Sequence, residues 1–247
     1  MWIDRLIRRR SLLAALGITV WGSTSAADDP FADDRERMVR DVDEDMRAVA
    51  TTAGRGIDPR VLDALRKVPR HRFVPHEQQS MAYENRPLAI GHGQTISQPS
   101  VVALMTDLLE LQPGDRVLEV GTGSGYQAAV LAQLAQRVYS IEIVRPLGEH
   151  AAGVLKALGY DNVELRIGDG YAGWPEAAPF QAIIVTAAPE HMPQPLIDQL
   201  APGGRLVAPI GPQSGAQELL VLRKGADGST VTRSVLAVRF VPLTRPR

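Results

Sequence analysis

Cysteine is absent from this chain of 247 residues. That excludes disulfides, thiolate nucleophiles and cysteine-ligated zinc. The five histidines are scattered at spacings that share no helical face, so no metal site is expected. No charge of one sign dominates: 27 Lys and Arg stand against 28 Asp and Glu, a formal net charge of −1. Such a balance gives no electrostatic case for a nucleic-acid partner. The local basic run from Arg66-Lys67 to Arg70-His71-Arg72 reads as a solvated face, not a phosphate track. Internal repeats and low-complexity tracts are missing. The apolar run Leu12–Trp21 is too short to span a bilayer comfortably.

That short run has neighbours that give it another meaning. Arg5 and Arg8-Arg9-Arg10 precede it, and the small residues Ser23-Thr-Ser-Ala-Ala27 follow, then Asp28-Asp29-Pro30. A basic start, a short apolar middle and a small-residue cleavage site make a secretory signal over residues 1–27. Arg9-Arg10-Ser-Leu-Leu13 also resembles a twin-arginine signal, which exports folded protein. The chain is therefore expected in the periplasm or otherwise outside the cytoplasm, with no stable membrane insertion after cleavage. The alternative is a cytoplasmic chain with an amphipathic leader or a misassigned start.

What the sequence does contain is a glycine-rich turn directly after an apolar strand, Val117-Leu-Glu-Val-Gly-Thr-Gly-Ser-Gly125. Glycine permits a tight turn and a close backbone approach to a ligand. A second apolar run, Val138-Tyr-Ser-Ile141, ends in Glu142, about 20 residues on, where a carboxylate would reach ribose hydroxyls. The spacing G-x-G-x-G differs from the dinucleotide fingerprint G-x-G-x-x-G. Glu119, two residues before Gly121, would repel a pyrophosphate but suit an ammonium and a sulfonium. No Gly-Lys-Ser/Thr follows, which excludes a Walker loop. Together with Gly168-Asp169-Gly170, these residues point to S-adenosylmethionine and a class I methyltransferase.

The remaining pattern supports an α/β fold. Met38, Val42, Met46 and Val49 repeat at helical spacing. Asp58 and Pro59 open a second helix that Val68-Pro69 should end. Residues 70–98 show little periodicity and read as a long ordered loop, which in a compact domain is usually functional. Pro99 opens an apolar helix to Leu109. Strands are predicted at 116–120, 137–142, 162–167, 180–186 and 204–209, with helices at about 125–134, 145–158 and 193–200. This alternation makes a parallel sheet covered on both faces. Leu219–Leu222 and Val235–Val241 flank Gly225–Gly228 without a helix, so the sheet should close with an antiparallel hairpin. The expected architecture is a doubly wound, mostly parallel, seven-stranded Rossmann-like sheet. An N-terminal helical and loop extension, residues 28–112, forms one compact unit with the methyltransferase domain, residues 113–247.

Several segments together resemble the bacterial type of protein-L-isoaspartate O-methyltransferase. They are Val68-Pro-Arg, Phe73-Val-Pro75, Ala82-Tyr-Glu84, Gly93-Gln-Thr-Ile-Ser-Gln-Pro99, the glycine loop through Gln127, Tyr139-Ser-Ile-Glu142, Gly168-Asp-Gly170, Ile184-Val-Thr-Ala-Ala188 and Val238-Arg-Phe-Val-Pro-Leu243. Gln94–Pro99 is the most specific of them, and the likeness covers about residues 38 to 243. Gln181 departs from the family's usual Asp, and Ala89 from a common Pro. The resemblance implies methyl esterification of the free α-carboxylate of isoaspartyl residues in damaged proteins and peptides. It implies Ser97 as the catalytic contact to the acceptor, with Thr95 and Ile96 in the same groove. Backbone around Val238 and Phe240 would meet an extended peptide, as strand addition does. For the cofactor, Gly121, Thr122, Gly123, Ser124 and Gly125 would take the methionine part beside Glu119. Glu142 would take the ribose, Asp169 and Gly170 the adenine, and Thr186 the strand end opposite. A monomer is expected. Rival readings are a methyltransferase for small-molecule acids, a cofactor-free binding protein of the same fold and, more distantly, a nicotinamide dehydrogenase.

Overall fold

The computed structural model describes residues 29–53 and 56–245. The export segment read at residues 1–27 lies outside the described residues. Among those described, no helix is long and apolar enough to cross a membrane. Residues Phe31–Arg247 form one compact unit.

Three helices and a hairpin precede the sheet. Helix α1, Ala32–Ala53, buries Met38, Val42 and Met46 on one face. Helix α2, Pro59–Lys67, starts where the Asp58 side chain accepts a hydrogen bond from the Arg60 amide, with proline in the first turn. It ends at Val68, whose extended backbone is what a following proline demands. Residues 70–98 are more structured than a loop. They contain two 3₁₀ turns, Arg70–Phe73 and His76–Met81, and an antiparallel pair, β1 (Leu88–Gly91) and β2 (Gln94–Ile96). Elements this short carry too few residues to show a period. Helix α3, Pro99–Leu108, is buried almost all round, beneath the rest of this layer.

The main sheet has seven strands. They are β3 (Arg116–Val120), β4 (Arg137–Glu142), β5 (Val163–Ile167), β6 (Phe180–Val185), β7 (Leu200–Ile210), β8 (Gln217–Lys224) and β9 (Thr230–Val238), in spatial order β5-β4-β3-β6-β7-β8-β9. The first five are parallel, and β8 and β9 close the sheet antiparallel. Helices α4 (Tyr126–Ala132), α5 (Arg145–Ala157) and α6 (Gln194–Asp198) make three of the four crossovers, and two 3₁₀ turns, Gly170–Ala172 and Pro175–Ala177, lie in the one from β5 to β6. Strand β7 begins earlier than the sequence suggests. Leu200 already pairs with Phe180, a register shift follows, and pairing resumes at Arg205.

Alternate residues of the central strands feed two cores, one on each face. Val117, Ala182, Ile184 and Val207 pack with the N-terminal helices, while Leu118, Val120, Ile183, Val185 and Leu206 pack with Trp174, Phe180 and Leu196. Both faces are therefore covered, as a parallel sheet requires. Because β3 lies between β4 and β6, the chain winds away in both directions from it. The crevice at the carboxyl ends of these three strands is where such a sheet binds ligands.

Candidate active site

The glycine loop is held in that crevice by backbone bonds. The amides of Gly121 and Thr122 donate to the Ile141 carbonyl at 2.8 and 3.2 Å. Thr186, just past β6, braces the other side: its hydroxyl donates to the Gly121 carbonyl at 2.6 Å. A Cβ on Gly121 would stand 2.5 Å from that hydroxyl oxygen, and its φ of +100° disfavours any side chain. Gly125, with φ +87°, turns the chain into α4.

Above this loop lies a cavity. Gly121, Thr122, Gly123, Ser124, Glu142, Gly170 and Thr186 all line it, and so do Thr95, Ile96 and Ser97. The structure thus brings residues from five separate stretches of sequence to one space. Glu142 is its one charged lining group among the described residues. Its two carboxylate oxygens accept from the Gly123 amide at 2.7 Å and the Val144 amide at 2.8 Å. A carboxylate offers about four acceptor positions, so about two remain. Gly170 sits tight against β3, since a Cβ there would come within 2.3 Å of Val120.

Three predicted residues stand elsewhere. Gly125 shapes the turn without lining the cavity. Asp169 caps the short turn Gly170–Ala172 through the Tyr171 amide and faces the neighbouring cleft. Glu119 is fully buried one layer beneath the loop. It accepts a hydrogen bond from Ser140, whose hydroxyl lies 2.6 Å from that of Thr122, and its other oxygen has no partner. Burial pushes its pKa up to about 8, with the nearby charge of Glu142 adding to the effect. At neutral pH this carboxyl is mostly neutral, so it meets the cavity only through Ser140 and Thr122.

A second groove opens beside the cavity. Val238 and Phe240 line it together with Pro87, Gln98 and Arg239, and it shares Thr95, Ser97, Thr186 and Val241 with the first. Ser97 is thus common to both spaces. Its hydroxyl makes no hydrogen bond among the described residues. The helix-capping position before α3 belongs to Gln98, so capping does not occupy the serine.

Sequence reasoning missed two parts of this site. The first is the segment 241–244 after the last strand, which forms one wall of the cavity. It is pinned where the Ala188 amide donates to the Val241 carbonyl and the Leu243 amide to the Ala188 carbonyl, at 2.8 and 2.9 Å. The second is Arg70. Read as part of a solvated basic face, it is 0% exposed and donates to the carbonyls of Ala82 and Ser97. Its position between apolar Val68 and Phe73 was the available sign. Gln181, the departure noted above, accepts from the Arg116 amide at 2.9 Å and marks the start of β3.

The lining suits S-adenosylmethionine. A single carboxylate faces a space with no Lys, Arg or His on its walls among the described residues, and the glycine cradle tolerates no side chain at Gly121. No cluster of metal-ligating side chains occurs among the described residues either.

Comparison with known proteins gives one family. The family described as Protein-L-isoaspartate(D-aspartate) O-methyltransferase matches residues 44–247. Protein-L-isoaspartate O-methyltransferase 1 of Cupriavidus necator is 57% identical over 233 residues, covering 94% of this chain and 90% of that one. Protein-L-isoaspartate O-methyltransferase 2 of Syntrophobacter fumaroxidans is 53% identical over 94% of this chain and 95% of its own. A solved protein-L-isoaspartate O-methyltransferase superposes with a TM-score of 0.72 at 32% identity, covering 84% of this chain and 65% of that one. The fold is also that of a Plasmodium falciparum structure solved with S-adenosyl-L-homocysteine, TM-score 0.71 at 24% identity, over 89% of this chain and 100% of that one.

Proposed function

The chain belongs to the protein-L-isoaspartate(D-aspartate) O-methyltransferase family, and from that premise we propose how its residues divide the work. The protein is an enzyme that methylates the free α-carboxylate of L-isoaspartyl residues, with S-adenosylmethionine as donor. The ester leaves more readily than a hydroxyl, so the succinimide re-forms and part of the damaged chain returns to normal aspartate. The observation that carries the residue assignment is the meeting of cavity and groove at Ser97.

When bound, S-adenosylmethionine supplies an electrophilic methyl on a positively charged sulfur. Gly121, Gly123 and Ser124 hold its methionine part, and Glu142 takes the ribose hydroxyls with its remaining acceptor positions. Gly170 backs the adenine, with Asp169 fixing the turn that presents it. Ser97, whose hydroxyl is unengaged, donates to one oxygen of the acceptor carboxylate and leaves the other free. Thr95 and Ile96 wall the same spot. Val238 and Phe240 border the groove along which an extended peptide runs. A carboxylate with a reference pKa of roughly 3.5 to 4 is already ionised at neutral pH, so the chemistry asks for no base. What the protein contributes is alignment and exclusion of water. A monomer is proposed as the working unit.

The test uses the purified chain, methyl-labelled S-adenosylmethionine and two peptides differing only in isoaspartate or aspartate at one position. Base-labile label on the isoaspartyl peptide alone is expected. Label on neither, or a preference for small free acids, would overturn the assignment.

We also propose that the protein is exported, on the support of Arg8-Arg9-Arg10, the apolar run Leu12–Trp21 and the small residues Ser23–Ala27. Fractionation of cells making the full chain with a C-terminal tag should find it outside the cytoplasm. Full-length protein confined to the cytoplasm would overturn this.

A further inference from the structure

Among the described residues, Arg70 is a buried cation with no carboxylate beside it. Its side chain is 0% exposed, at the start of the turn Arg70–Phe73. Nε donates to the Ala82 carbonyl and one terminal nitrogen to the Ser97 carbonyl, each at 2.8 Å. The other terminal nitrogen is buried without a partner. The guanidinium carbon lies 4.8 Å from the centre of the Tyr126 ring. Burial lowers its pKa to about 10, which still leaves it charged at neutral pH. Tyr126 cannot serve as the counter-ion, because burial pushes its hydroxyl up to about 12.

An unpaired charge is costly to bury, and an apolar side chain of similar volume would fill this space more cheaply. Two carbonyls and a ring face offset part of that cost. What the arrangement lacks is an anion. Both groups that Arg70 holds, Ser97 and Tyr126, line the cavity, and Ser97 also lines the acceptor groove. We propose that Arg70 is the positioning residue for the acceptor. From behind the Ser97 carbonyl it supplies the buried positive charge that selects a carboxylate over a neutral group. This rests on the reading of the groove as the acceptor site.

Its place behind Ser97 has a chemical consequence. A guanidinium in direct contact would tie up both carboxylate oxygens in a bidentate pair. From one layer back, the charge attracts the acceptor without occupying the lone pair that reacts. During transfer one carboxylate oxygen gains a bond to the methyl carbon while the sulfur–carbon bond breaks, its electron pair staying on sulfur. No proton moves, and the acceptor passes from one negative charge to none. The attraction to Arg70 is therefore greatest in the bound acceptor and fades toward the product. Binding of that kind lowers KM and does not raise kcat. The neutral ester then has less to hold it, which favours release.

The experiment compares two peptides on the protein saturated with S-adenosylhomocysteine. One carries isoaspartate, and the other carries a carboxamide in place of the α-carboxylate. The wild type should bind the carboxylate on the order of tenfold more tightly. A buried charge is poorly screened, so this preference should survive about 0.5 M salt. Arg70→Met should reduce the preference to about threefold or less and raise KM for the isoaspartyl peptide roughly tenfold, with kcat within about twofold. Affinity for S-adenosylhomocysteine should not change. Arg70→Lys, which keeps the charge, should restore most of the preference. Equal weakening of both peptides by Arg70→Met, or an unchanged preference, would overturn the proposal. So would a wild type that shows no preference or loses it in salt, a result independent of whether any variant folds. A wild type that methylates the isoaspartyl peptide while failing these tests would leave the family's reaction standing. One that transfers no methyl to it would overturn both.

Discussion

Glu119 and Glu142 sit on neighbouring strands, yet their surroundings give them different states. Glu142 faces a cavity and is held by two backbone amides. Glu119 is sealed beneath the loop, with one oxygen unpartnered and a pKa raised to about 8. A carboxyl whose folded pKa exceeds its ordinary value of 4.5 binds a proton on folding. Its stabilising share is complete below about 4.5 and is lost as pH rises through about 8. Glu119→Gln mimics the neutral acid and should remove that loss. Thermal unfolding from pH 6 to 9 should show a flatter profile for the variant, more stable than wild type by about 1–3 kcal/mol at pH 9. Parallel profiles would mean that Glu119 is ionised in the fold. Ser97 and Glu142 separate the two substrates in the same manner. Ser97→Ala should lower methyl transfer about tenfold or more and leave S-adenosylhomocysteine affinity nearly unchanged, if the hydroxyl has the acceptor role proposed for it. Glu142→Ala removes the proposed ribose acceptor and the partner of two loop amides, and calorimetry should show cofactor affinity weakened by about tenfold or more. Equal affinities would move the ribose contact to another group. The glycine spacing and the place of Glu142 on the cavity wall were legible because small and acidic residues at a strand end have few other uses. The burial of Arg70 and Glu119 was not, because carbonyls and hydroxyls distant in sequence stabilise them.

At the scale of elements, legibility followed length. Strands β3 and β4 stand where their apolar runs placed them, and α5 differs from its predicted span by one residue. Longer elements repeat their pattern often enough to read. The pair β1–β2 has strands of 4 and 3 residues, too short for a period, and its region read as loop. The segment after β9 is harder still, because two backbone bonds to Ala188 are what hold it to the sheet. Yet it walls the cavity through Val241, Pro242, Leu243 and Thr244. Beyond it, Arg245 lies over the Tyr171 ring at 4.1 Å. A chain ending at Phe240 keeps the last strand anchored, since the Phe240 amide still donates to Gln217 and its carbonyl still accepts from that side chain. Such a truncation should fold, while losing about tenfold or more in S-adenosylhomocysteine affinity as the cavity wall opens. Unchanged affinity in calorimetry would show that this segment is packing and not part of the site.

At the scale of the whole molecule, the N-terminal layer and the sheet share one core. Met38 of α1 and Leu65 of α2 belong to the same buried cluster as Val117 and Ile184 of the sheet. Ser97, the proposed acceptor contact, lies between them, at the end of β2 and just before α3. The cavity is likewise composite, with walls from β2, the glycine loop, the ends of β4 and β6 and the segment after β9. A ligand that bridges these walls is therefore coupled to unfolding of the entire unit and not to one part. S-adenosylhomocysteine at about 100 times its dissociation constant should stabilise the fold by about 2.7 kcal/mol. For a unit of this size that corresponds to roughly 5–10 °C in melting temperature. The rise should come as a shift of a single calorimetric transition, because the N-terminal layer has no core apart from the one it shares with the sheet. Ser97→Ala should show the full shift, given the acceptor role proposed for its hydroxyl. Glu142→Ala should show a much smaller one at the same ligand concentration. Two transitions, with the ligand moving only the hotter, would mean that the N-terminal layer melts independently. The acceptor serine would then be carried by a layer free to open while the cofactor half stays closed, contrary to the shared core.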